Sequence, residues 1–329
     1  MNYCTLFNSQ YLSRGLVLYE SLLNTAQKFH LYIFAFDERA YQILIKLNLQ
    51  HATIISLSEF ETPALLKVKS SRTVAEYCWT CTSSVILYCL EKFLLADVCY
   101  LDADLYFWQD PAILIEEATD HSILITEHRY TKTYDHSEVS GKYCVQFMYF
   151  KNDEQGLEAL LWWREACLEW CYNRVEPGRF GDQKYLDDWL ERFDRVKVLE
   201  HLGGGVAPWN VQQYELLPGH VNPKMVERSY GKSFDLVFYH FHAVKFINNA
   251  VDYGGYKLSK TVKKDIYKPY VSALLKIEAN LKGNEQLNDL LFDTNIHCKE
   301  IKSFSLIDGL RKFKNKIIRN NNYFALENF

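Results

Sequence analysis

An α/β fold with a mostly parallel sheet flanked by helices is predicted for this chain of 329 residues, and three observations predict it. Strand-like and helix-like runs alternate through the first half. The strands are continuous apolar stretches, as expected of strands covered on both faces. Polar or acidic residues follow their carboxyl ends, where open parallel sheets hold ligands.

Tyr3 to Phe7 reads as the first strand, and Tyr11 to Leu23 as a helix, with Leu12, Leu16, Leu18, Tyr19, Leu22 and Leu23 at helical spacing. His30 to Phe36 is a buried-strand run closed by Asp37, Glu38 to Leu47 is helical, and Ala52 to Leu57 is a strand. Ser84 to Leu95 then forms an apolar-faced helix delivering the chain to Val98–Leu101. Later, Tyr143 to Phe150 is a strand and Glu154 to Asn173 a long helix. Gly181-Asp182-Gln183 opens a helix with Tyr185, Leu186, Trp189 and Leu190 on one face, Asp182 being an ordinary N-cap by type. Asp235 to His240 is a strand that, continued to His242, puts both histidines on one face. Before it, Gly203-Gly204-Gly205 permits close backbone approach, suiting either a substrate-lining loop or a tight turn.

A hydrophobic content of 48% is ample for a core and excludes a disordered or fibrous chain. The formal charge of −4 conceals an asymmetry: residues 256–329 carry a net +6 and residues 1–255 a net −10. Two parts are therefore expected, a body over 1–255 and a basic helical extension over 256–329. With no run of about 18 apolar residues and no charged leader, a cytoplasmic location is expected. Nine scattered cysteines in apolar segments suit reduced, buried thiols. Cys78-Trp-Thr-Cys81 with Cys167 and Cys171 is a weak alternative for a zinc or redox site, because the spacings are unequal.

The most informative stretch is VCYLDADLYFWQDP, residues 98–111. Two aspartates closing an apolar strand imply a compensating cation, since burying a carboxylate unpaired costs several kcal/mol. Hard carboxylate oxygens suit Mg²⁺ or Mn²⁺, which keep positions open for phosphates. Asp102 and Asp104 thus read as a metal-diphosphate site, the alternative being an ordinary solvated strand exit.

The first strand with its aromatic and Asn loop, YLDADLYFWQDP, GDQKYL and a late strand ending in His-Phe-x-x-x-Lys together resemble the sugar-nucleotide-dependent glycosyltransferases of GT-A fold. The order is most similar to glycosyltransferase family 8, which includes glycogenin and bacterial lipopolysaccharide galactosyl- and glucosyltransferases, and the likeness spans roughly Tyr3 to Lys245. The resemblance implies a Rossmann-like sheet and transfer of a hexose from a UDP-sugar to a glycan or lipid-linked glycan, with retention. It also implies Mn²⁺ (or Mg²⁺) on Asp102, Asp104 and His240, with His242 as competitor. By position, Thr5, Leu6, Phe7, Asn8, Tyr11 and Asp37 would hold base and ribose, with Leu101, Asp102, Ala103 and Asp104 at the diphosphate. Lys245 matches imperfectly a family lysine on that diphosphate.

Asp182 and Gln183 match the family pair beside the reacting sugar. Cys144-Val145-Gln146 replaces the family's Asn-Ala-Gly, so Gln146 is the candidate for the missing amide, and Thr82, Ser83 and Ser84 stand where the family has a donor-contacting arginine. Inversion, with Asp182 as base, and a noncatalytic sugar-nucleotide or glycan-binding module remain alternatives. A pyrophosphorylase is disfavoured because Thr5–Tyr11 lacks the glycine-rich, Arg- and Lys-containing loop of that family. No nucleic acid is expected as partner. Ile301 to Arg319 reads as a basic amphipathic helix, with Phe304, Ile307, Leu310 and Phe313 three apart among Lys302, Arg311, Lys312, Lys314, Lys316 and Arg319. It suits an anionic leaflet on the cytoplasmic face, or docking on the acidic body.

Overall fold

The computed structural model describes residues 1–247, 250–291, 322–326 and 329. Its centre is a seven-stranded sheet in the order β3-β2-β1-β4-β7-β6-β8. The strands are β1 Asn2–Phe7, β2 His30–Ala35, β3 Ala52–Ser56, β4 Asp97–Leu101, β6 Ile123–Glu127, β7 Tyr143–Lys151 and β8 Val196–Val198, with β5, Leu105–Phe107, outside that sheet. β1 to β4 are parallel, and β7 is antiparallel to both β4 and β6. The interior strands are buried almost throughout, which is why they read as unbroken apolar runs.

Helices cover both faces, and two separate hydrophobic cores result. One contains Leu12, Leu16, Val17 and Leu22 of α1, Leu12–Thr25. The other contains Val85, Ile86 and Leu90 of the helix Val74–Lys92, with Leu160 and Trp163 of the helix Glu154–Glu169. Helix starts follow local chemistry. Asp37 caps α2, Glu38–Leu47, and Thr73 with Glu76 forms a complete capping box that starts the helix Val74–Lys92 ten residues before the apolar-faced segment at Ser84.

The second half departs from its periodicity in three places, the first being the helix from Glu154, which ends at Glu169 with Trp170 extended rather than at Asn173. Gln183–Leu186 is a single 3₁₀ turn and Trp189–Arg192 a single α turn; Leu186 and Trp189 are buried, whereas Leu190 is 49% exposed. The run Asp235–His240 is split, because Ser233–Asp235 pairs within a small separate sheet and only Phe238–His240 pairs with β5. The segment after residue 255 is helical over Lys260–Gly283, and Leu258, Val262, Ile266, Tyr270 and Leu274 lie in the same core as α1. Ile301 to Arg319 lies outside the described residues. Among the described residues no helix is long and apolar enough to cross a membrane.

Candidate functional site

β4 ends at Leu101, and the chain turns through Asp102-Ala103-Asp104 into β5. The antiparallel register of β5 with Phe238–His240 sets His240 opposite Leu105, and Phe241 N–H donates to the Asp104 carbonyl at 3.0 Å. His240 Nε2 thereby lies 3.1 Å from Asp104 Oδ1 and 3.9 Å from Asp102 Oδ2. Among the described residues this trio is the one group of metal-capable side chains whose ligand atoms converge, all within 4.8 Å of one another.

Gln146 on β7 organises the trio from behind. Its side-chain Oε1 accepts from His240 Nδ1 at 2.7 Å, and its main-chain carbonyl accepts from Asp102 N–H at 3.0 Å. An amide oxygen can only accept, so Nδ1 carries the proton, and in the neutral ring Nε2 presents its lone pair to the carboxylates. Tyr100, two residues before Asp102 on β4, donates its hydroxyl to Asp102 Oδ1 at 3.1 Å. Trp209 packs edge-on against His240 at 5.3 Å.

Desolvation raises Asp102, the His240 charge opposes it and Asp104 adds to it, leaving Asp102 at about 6. Desolvation also acts on Asp104, but His240 outweighs it and holds Asp104 down to about 2. His240 itself resists desolvation and is raised well above its ordinary value by Asp104. A divalent cation binding here would have to displace the proton that His240 holds.

Asp182 is 6% exposed and makes no capping bond, its backbone being already α-helical (φ −93°, ψ −27°). The N-cap expectation fails because the buried carboxyl makes no capping bond and is held instead by its own and the Gln183 backbone N–H groups and by the Thr82 hydroxyl. Burial first, then the charge of Asp102, pushes it to about 7, with Thr82 beside it. Gly181 (φ +55°) lies against Trp79 just before it, a left-handed turn suited to glycine. Gln183 follows, partly buried.

At the other strand ends, Thr5, Leu6, Phe7 and Leu101 are buried, as is Ala103. Asn8 caps the next turn through Gln10 N–H, and Tyr11 is 45% exposed. Asp37 Oδ2 accepts from Ser9 N–H and Ser9 Oγ, both at 2.8 Å, while Oδ1 accepts from Ala40 N–H at 2.7 Å. Lys245 is exposed on the strand Lys245–Ile247. His242 is near enough for its charge to act on Asp104 but is not among the converging ligand atoms: the strand ends at His240, and His242 meets the Tyr256 hydroxyl at 3.1 Å. The expectation that the two histidines share a face assumed the strand continued.

The glycine run is buried packing. A Cβ on Gly203 would meet the Asp235 carbonyl at 2.0 Å, and Gly205 has φ +81°. The Gly203 carbonyl accepts from Val237 and Phe238, and the Val206 carbonyl from His240, so the loop holds the histidine strand. The cysteines at 78, 81, 167 and 171 are free, and burial raises the thiols of 78, 81 and 167. Tyr100 and Arg14, the latter in the first turn of α1, escaped the sequence reading, which named Thr82 only as standing in place of a family arginine. Tyr100 could have been found from the two-residue strand period.

A polar cleft of about 610 Å³ has Arg129, Tyr130, Lys142, Lys184 and Gln213 among its walls and none of the converging trio. Tyr130 stacks on His128, which meets Trp209 edge-on, so ring contacts run from the cleft wall to His240.

The fold is that of the GT-A glycosyltransferases. The galactosyltransferase LgtC, solved with donor and acceptor sugar analogs, matches 88% of this chain and 100% of its own, with a TM-score of 0.53 at 11% identity. No family model matches the sequence. The uncharacterized protein YfnD of Bacillus subtilis (strain 168) is 30% identical over 278 residues, covering 82% of this chain and 87% of YfnD. YfnF of the same strain is 30% identical over 254 residues, 75% of this chain and 82% of YfnF. The chain belongs to the family of YfnD and YfnF.

Proposed function

We propose that this chain is a metal-dependent glycosyltransferase akin to family 8. On this reading it moves a hexose from a UDP-sugar to a glycan or lipid-linked glycan, with retention of anomeric configuration. The observation that carries the proposal is the convergence of Asp102, Asp104 and His240 at the ligand-holding edge of the sheet. The donor set fits a divalent cation, because the buried Gln146–His240 bond leaves Nε2 directed at two carboxylate oxygens. Such a cation would supply positive charge to the diphosphate leaving group. The nitrogen ligand favours Mn²⁺ over Mg²⁺.

The chain's own residues do the rest. The first-strand loop from Thr5 to Asn8, with Tyr11, holds base and ribose, and Asp37 shapes that loop by gripping Ser9. Lys245 approaches the diphosphate. Asp182, poised at about 7, can accept from a sugar hydroxyl as carboxylate or donate to one as acid, and Gln183 adds an amide beside it. Gln146 acts through His240 as a positioning residue. The acceptor enters through the polar cleft, whose Lys184 follows Gln183. Free thiols suit a cytoplasmic setting. The basic 301–319 segment serves as the contact with an anionic membrane, which flotation on liposomes with and without anionic lipid checks.

The deciding experiment measures UDP release from a panel of UDP-sugars with Mn²⁺ and a mixed glycan pool. Metal-dependent, acceptor-stimulated release is expected, and NMR of the product reads the anomeric configuration. Tight UDP binding with no release from any donor would make the chain a noncatalytic sugar-nucleotide-binding module.

A further inference from the structure

Arg14 is a buried cation that the site description so far leaves without a task. It lies in the first turn of α1, directly after the loop that follows β1, and is 6% exposed. Nη2 donates to the Val244 carbonyl at 2.8 Å, and the guanidinium carbon stands 4.6 Å over the Tyr11 ring. Val244 belongs to the same turn whose Phe241 N–H is fastened to the Asp104 carbonyl. Arg14 therefore bridges the β1 loop to the segment leaving the metal-ligand strand. Among the described residues no carboxylate lies within ion-pair distance of it. A guanidinium carries five donors, and a buried one without a carboxylate is strongly disfavoured unless an anion arrives to meet it.

We propose that Arg14 is the anion receptor for the diphosphate of the donor, reaching it from the α1 side. The assignment rests on the reading of this site as one for nucleoside diphosphates. A planar, permanently charged fork pairs bidentately with phosphate oxygens, and helix N-termini favour anions. Tyr11 packs its ring against the fork and is itself 45% exposed. The guanidinium also stands near enough to Asp104 to help hold that carboxyl low. In this chain the buried share of that role falls to the first helix, because the segment Thr82–Ser84 of the helix Val74–Lys92 offers only hydroxyls and Lys245, the other cation read at the diphosphate, is solvent-exposed.

The test compares UDP and UMP binding by titration calorimetry with Mn²⁺, using the full chain. Arg14→Gln keeps a donor for the Val244 carbonyl and removes the charge. It is expected to lower UDP affinity at least tenfold, to change UMP affinity less than threefold, and to unfold within a few degrees of the parent chain. Arg14→Lys serves if the glutamine variant does not fold, and is expected to show a smaller loss with the same preference for UDP. Unchanged UDP affinity, or equal losses for UDP and UMP, in whichever variant folds overturns the assignment. So does a UDP-selective loss in Lys245→Gln with none in Arg14→Gln. If the parent chain binds neither UDP nor GDP, the nucleotide reading falls first and the role of Arg14 falls with it.

Discussion

Two strand ends on the same edge of the sheet carry carboxylates, and they are used differently. At the end of β2, Asp37 has its oxygens occupied by Ser9 N–H, Ser9 Oγ and Ala40 N–H. At the end of β4, Asp102 receives one hydroxyl from Tyr100, and Asp102 and Asp104 otherwise face His240. The first carboxylate is spent inside the fold, capping a helix and closing a loop. The second pair keeps acceptor capacity aimed at one point. Position at the sheet's ligand-holding edge is thus shared, and hydrogen-bond occupancy distinguishes a carboxylate used by the scaffold from a pair whose oxygens stay free to accept.

The largest effect expected from this difference is on turnover. Asp104→Asn should reduce metal-dependent UDP release about a thousandfold or more, equivalent to about 4 kcal/mol of lost charge stabilisation, without unfolding the protein. Retained activity of that variant in EDTA would remove the β4 pair from the chemistry. Next in size is the support behind His240. Gln146→Leu deletes the Nδ1 acceptor and should weaken Mn²⁺ binding by about 10- to 100-fold, the range usual for groups that orient metal ligands. Calorimetry with Mn²⁺ alone reads this, and an unaltered affinity would mean that packing by itself orients the ring.

Proton linkage sharpens the comparison further. Asp102 keeps its proton to about pH 6 and His240 to well above its ordinary value, so Mn²⁺ must displace protons to bind. Apparent affinity should therefore climb as pH rises from 5 to about 8. A flat profile would show that these groups do not ligate. In chelator, Asp182 keeps its proton in the folded state to about 7, whereas the unfolded chain loses it near the ordinary 3.8. Between those values the folded state binds the extra proton, so this group makes stability fall as pH rises. Asp182→Asn should flatten the fall, read as the difference between the two melting curves across pH 4–7.

The smallest functional effect belongs to Asp37. Asp37→Ala should cost about 1–2 kcal/mol of stability through the lost cap, lowering Tm by a few degrees. Turnover under saturating donor should change little once the protein is folded. A collapse of activity comparable with that of Asp104→Asn would erase the distinction between the two strand ends.

The sequence by itself determined the α/β class, β1 to β4 with the first two helices, and the aspartates that follow β4, while it began the helix Val74–Lys92 ten residues late. Those depend on short-range causes: apolar runs, helical spacing, and caps such as Asp37 and Asn48. Glu38–Leu47 matched its expected bounds because an aspartate starts that helix and a left-handed asparagine (φ 46°) ends it. Tertiary structure alone decided which late residues meet the aspartates. His240 rather than His242 stands beside them because pairing with β5 stops at His240, a fact of partner and register that no local pattern carries. The same holds for Gln146, bonded to a histidine 94 residues away, and for Asp182, whose N-cap appearance was local and whose burial against the site was not. Secondary structure follows from neighbours within a turn or two of chain, whereas a site is assembled from strand register and from the desolvation that packing imposes.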